Sequence, residues 1–187
     1  MKRILLLLLT AVILQLPAAA QKLKTLPDNA PASFATELNR LLADAYFDFK
    51  NTIDAEIPGT EDDILIAYYS KVQLPFADSC FMEEALNDYL ETYHQFIANF
   101  GQFPTRGAAS VNFKKIAQYI NKSNYNSGQL QQKTTEDKEK LVLQSWQLKP
   151  NKGNANTKVE LSMTEKKVWP AGSSKSELAW VIELRVY

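Results

Sequence analysis

The chain is poor in the side chains from which most active sites are built. It has one cysteine, Cys80, and one histidine, His94. A lone cysteine excludes an intramolecular disulfide framework, so the fold must hold by packing alone. One Cys and one His cannot supply the three or four ligands of a zinc site, and neither a metal nor a cofactor is expected. There is no G-x-S-x-G elbow, no glycine-rich phosphate loop and no H-E-x-x-H pair. Charge of one sign is missing too. The 21 basic and 21 acidic residues cancel, and no basic stripe suggests nucleic acid. Beyond the first twenty residues no apolar run approaches the roughly 18 residues of a membrane span.

What is present begins with "MKRILLLLLTAVILQLPAAA". Lys2 and Arg3 precede an apolar stretch from Ile4 to Leu14, Pro17 breaks it, and Ala18 to Ala20 form a small-residue cleavage site. Residues 1–20 therefore read as a signal peptide, and the chain is expected to be periplasmic or extracellular after cleavage near Ala20. Removing them takes away two basic residues, leaving 19 against 21, a net charge of −2. Residues 21–30 read as a flexible leader. Residues 31–187 are long enough for a single domain with its own core.

Hydrophobic period divides that domain. Phe34, Leu38, Leu41, Leu42, Ala45, Phe49 and Ile53 recur at helical steps, predicting a helix over 31–53. "DILIAYYSKVQL" (63–74) reads as a strand stopped by Pro75. Met82, Leu86, Tyr89, Leu90, Tyr93, Phe96, Ile97 and Phe100 fit a helical stripe. A hairpin pairing "SCFME" with "YLETYHQFI" is the alternative. Ala109, Phe113, Ile116 and Ile120 predict a further helix, and residues 121–140 read as a mobile polar connector. Then the period changes to two. Residues 140–148, 157–169 and 177–187 read as strands, the last with Leu178, Trp180, Ile182, Leu184 and Val186 on one face. The expected fold is α+β: about three helices on one face of a four-stranded, mainly antiparallel sheet ending in a strand meander. No internal repeat is visible.

Four features invite chemistry. Cys80 follows Asp78 and Ser79, which could cap a helix whose dipole favours a thiolate. Asp78, Glu83 and Glu84 oppose that, and a buried, quiet thiol covered by Phe76 and Phe81 is the expectation. His94 lies about 21 Å from Cys80 if 80–94 is one helix, which forbids a dyad; the hairpin would permit one. His94 itself reads as an exposed residue on a polar helix flank. "DAEIPGTEDD" (54–63) fails the calcium-loop pattern, with Glu56, Pro58 and Leu65 at positions three, five and twelve. Among the aromatics, Trp146, Trp169 and Tyr69 are candidates for a binding surface.

The order helix, strand, then "SKVQLPFADSCF" resembles small exported bacterial α+β proteins whose strand ends in Leu-Pro-x-Ala-x-x-Cys, here Leu74, Pro75, Ala77 and Cys80. The resemblance implies the hairpin at 79–97 and carries no activity. The function expected is a non-enzymatic binding or interaction module of the cell envelope, with a protein, peptide or glycan partner. The alternative is an extracytoplasmic hydrolase drawing acids from Asp44, Asp48, Glu61, Asp62 or Asp63.

Overall fold

The computed structural model describes residues 24–58, 66–86, 92–151, 156–169 and 174–187. The expected signal peptide, Glu61, Asp62, Asp63 and Ile64 lie outside the described residues. Helix α1 (Ala32–Ala45) leads into a four-stranded meander: β1 (Ile53–Glu56), β2 (Ile66–Ser70), β3 (Ser79–Leu86) and β4 (Thr92–Phe103). Helix α2 (Arg106–Lys122) leads into a second: β5 (Gly128–Lys138), β6 (Leu141–Pro150), β7 (Lys158–Val168) and β8 (Glu177–Val186). The meanders join through β4 and β8 into one antiparallel sheet of order β1-β2-β3-β4-β8-β7-β6-β5. The order of elements thus repeats where the sequence shows no repeat.

The α+β class is as expected. The described residues hold two helices and eight strands rather than three and four. The third helix is the hairpin β3–β4, and its physical reason lies in the position of β4. This strand pairs with β3 on one side and β8 on the other, and both its faces are covered. Gln95, Phe96, Ile97 and Ala98 are therefore buried in succession. Strands buried on both faces lose their alternation, and the resulting apolar pairs imitate a helical stripe. The stretch 121–140 expected as a polar connector is mostly β5 (Gly128–Lys138), the sheet edge. Most of its side chains face water, which removes the apolar signal.

One row of the sheet carries the core. Met82 stands opposite Phe96, Phe96 opposite Val186, Val186 opposite Val159, and Val159 opposite Trp146. All five are fully buried, against Phe34, Leu38 and Leu41 of α1 and Phe113, Ile116 and Ile120 of α2. Both helices cover this face. The other face carries Glu83, Gln95, Glu183 and Arg185, with Gln95 donating to Glu83 at 3.0 Å and Lys166 to Glu183 at 2.9 Å.

Helix α1 stops eight residues earlier than its stripe implies. Asp44, buried, turns the chain: its carboxylate accepts from Asn51 N at 2.9 Å, Asn51 Nδ2 at 2.7 Å and Thr52 Oγ1 at 2.8 Å. Asp48 (φ 54°) and Phe49 (φ 57°) take left-handed backbone, and Phe49 re-enters the core. The stripe is buried or partly buried along its length, and helical from Phe34 to Ala45 but not at Phe49 and Ile53.

Within residues 24–30, part of the expected leader, Leu26 is packed while Thr25, Pro27, Asp28 and Asn29 are exposed. Leu26 is buried in the core cluster, and its N–H donates to Asn112 Oδ1 at 2.8 Å.

Candidate functional site

Along β3 the core-facing side chains run Cys80, Met82, Glu84, from apolar to acidic. The hairpin register sets Glu84 opposite His94 and Ile66 opposite Glu84. The same face of β2 carries Tyr68. At this end of the sheet the turn after α1 brings in Asp48. Its carboxylate accepts twice from one residue, from the His94 backbone N–H at 3.2 Å and the His94 Nδ1 at 2.8 Å. A ring whose Nδ1–H is given to a carboxylate keeps a lone pair on Nε2 while neutral. That Nε2 lies 3.8 Å from Glu84 Oε2, an ion-pair distance but beyond a hydrogen bond. Tyr68 donates its hydroxyl to the same Glu84 oxygen at 3.1 Å and meets the imidazole edge-on at 6.0 Å.

The cluster is partly desolvated. The His94 side chain is 20% exposed and that of Glu84 24%. Burial holds the Tyr68 phenol above its ordinary value, and the Glu84 carboxylate adds to this by hydrogen bond and charge, with Glu56 adding a smaller push. Phe49 is bulky and buried in a conformation such residues rarely adopt. The Asp44 network holds that turn, so Asp44 positions the cluster through Asp48. Just before Asp48, Tyr46 and Phe47 are exposed and stack edge-on at 5.1 Å. The arrangement is an acidic notch beside an aromatic pair. With His94 neutral it carries two carboxylates and an acceptor nitrogen, which suits a cationic donor.

His94 therefore sits on a strand between two carboxylates, not on an exposed helix flank. Cys80 does not join it. Residue 80 pairs with Ala98, four residues from His94 or about 13 Å along a strand. The thiol is 7% exposed, and burial pushes it up to about 11, moderated by the Leu74 N–H it accepts at 3.4 Å. The nearby acids are not the cause, and Phe81 faces the opposite side of the sheet.

The three aromatic candidates are not brought together. Trp146 is fully buried and donates its indole N–H to Asn121 at 2.8 Å. Trp169 is 66% exposed and Tyr69 51%. Trp169 directly follows β7 and Tyr69 lies on β2, strands four spacings or about 19 Å apart across the sheet. Trp180 lies against the core with Arg106 over its ring at 5.6 Å.

Among the acids of the hydrolase alternative, Asp44 is consumed by the turn and Asp48 holds His94. No group of three or more metal-binding side chains occurs among the described residues. Three clefts formed by described residues, of about 370 to 450 Å³, carry no more than one carboxylate each. No family model matches the chain, and neither a curated protein nor a solved structure does.

Proposed function

We propose that the chain is an exported, non-enzymatic binding module of the cell envelope whose recognition site is the notch formed by Asp48, His94, Glu84 and Tyr68. The partner is a peptide or protein presenting a lysine or arginine side chain. The observation that carries this reading is the convergence of two carboxylates on one half-buried imidazole, beside the exposed Tyr46–Phe47 pair. A cationic head bridges Glu84 and the His94 Nε2, which lie 3.8 Å apart, from the open side. Its aliphatic stem lies along the aromatic pair, as long basic side chains do on apolar surface.

The chemistry around the notch favours binding over turnover. The Cys80 thiol is buried, Asp44 is saturated, and no serine or threonine hydroxyl is bonded to His94 among the described residues. An Asp–His pair does orient a general base, which keeps an extracytoplasmic hydrolase as the second reading. Calorimetric titration with a short Arg- and Leu-containing peptide tests the proposal. Binding is expected, weakened about tenfold or more in Glu84→Gln and further by added salt. Equal affinity for a peptide with citrulline in place of arginine would contradict it. Hydrolysis of the peptide, lost in His94→Gln, would transfer the assignment to the second reading.

A further inference from the structure

Residues 24–28, "KTLPD", cross helix α2 as an extended segment, and α2 holds them mainly by their backbone. The Asn112 amide is buried and pairs twice, accepting from Leu26 N at 2.8 Å and donating to Lys24 O at 2.7 Å. This is the pattern by which one peptide reads another across a strand pair, supplied here by a side chain. One turn on, Lys115 donates to Leu26 O and meets the Asp28 carboxylate at 2.9 Å. One further turn on, the Tyr119 hydroxyl donates to Pro27 O. Residues 112, 115 and 119 share one helix face at spacings of three and four. Leu26 fills an apolar seat in the core, while Lys24 is fixed by Asp78 and by the Phe76 carbonyl.

Four backbone groups, on Lys24, Leu26 and Pro27, are thus engaged, Leu26 is anchored by its apolar side chain, and charge of opposite sign is met at each end. A segment that merely fills space would need only the apolar contact. We propose that this face of α2 is a peptide-recognition groove for an extended Lys-x-Leu-Pro-Asp segment, occupied in this chain by its own N-terminal residues. The groove is separate from the His94 notch. Its ligand has a basic residue two positions before a leucine, a proline directly after it and an acid next. While the chain's own segment is docked, the groove is closed to others, because a tethered ligand acts at high effective concentration.

The test uses the full chain with a fluorescein-labelled peptide of sequence QKLKTLPDN. Leu26→Asp places a charge in the apolar seat and frees the chain's own segment while leaving the groove intact. Fluorescence anisotropy should report one peptide per Leu26→Asp chain, at least tenfold tighter than for the unaltered chain. Adding Asn112→Ala to Leu26→Asp should remove the binding, as should Leu→Asp in the peptide. If Leu26→Asp retains the far-ultraviolet dichroism of the parent and takes up no peptide, or takes it up regardless of Asn112→Ala, the proposal is overturned. Should Leu26→Asp fail to fold, a protease site placed between Asn29 and Ala30 and cut after folding decides instead. Exchange of the cut segment for labelled peptide supports the groove. A cut chain that sheds its segment and binds no peptide overturns it.

Discussion

Cys80 and Asp44 are both buried, yet their energetics differ. The Cys80 thiol, at about 11 against an ordinary 9.0, holds about a hundredfold fewer thiolates at neutral pH than a free thiol. We predict that it labels at least that much more slowly in the native protein than after denaturation, as a stopped maleimide reaction can measure. The linkage sign follows from a raised acid. The neutral form is favoured by folding, so this stabilisation is complete below pH 9 and is lost as pH rises towards about 11. Asp44→Ala strands the Asn51 N–H and the Thr52 hydroxyl inside the turn. A cost of about 3 kcal/mol is expected, lowering the melting temperature by roughly 6 to 12 °C. Asp48→Asn, half-exposed, should cost less than about 1 kcal/mol. Melts that ranked the two the other way would refute the positioning role of Asp44. Burial of the cysteine was expected from the sequence, but the acids beside it in sequence play no part in its raised pKa. The Asp48–His94 contact was not legible there, because 46 positions separate the pair and only the strand register and a left-handed turn bring them together.

Elements were legible in proportion to how one-sided their burial is. α2, β6 and β7 show water one face, and β8 alternates from Ile182 to Val186 although Ala179 to Ile182 are buried in succession, so periods of 3.6 and 2 could be read directly. β4 is covered on both faces and β5 on little of either, so the first imitates a helix and the second a loop. Backbone demands at their ends were equally hidden. Gly128 opens β5 at φ 152°, and a Cβ there would meet the Lys149 carbonyl oxygen at 2.2 Å. Gly128→Ala should destabilise by about 2 kcal/mol or more, read from urea unfolding; a neutral result would mean that the β5–β6 pairing is looser than described. The N-terminal segment gives a prediction in acid. Asp28 is held below its ordinary 3.8 by the hydrogen bond and then the charge of Lys115. A lowered carboxyl stabilises above its unfolded value and loses that contribution as pH falls through the folded one. The Leu26 amide should therefore lose exchange protection below about pH 4, and Asp28→Asn should abolish that pH dependence. Protection unchanged between pH 6 and 3 in the parent would show that Lys115 does not hold the segment through Asp28.

On the scale of the whole molecule, two helix-plus-meander units share one sheet, and its main buried apolar row lies on the face the helices cover, while Ile97, Ala179 and Val181 are buried on the other. Where that cover ends, beyond Met82 and Phe96, the same face turns acidic at Glu84 and His94. The pattern of an α+β domain was readable from composition and period. The place where its core opens was not, because that depends on α1 stopping at Ala45 and not at Ile53. The claim that this opening is the binding site is tested most directly by a ¹⁵N-correlated NMR titration with the Arg- and Leu-containing peptide. Amide shifts should concentrate at residues 46–49, 68, 84 and 92–95, and vanish in Glu84→Gln. Shifts centred on Trp169 or on residues 112–119, with residues 46–49 and 94 unmoved, would contradict it.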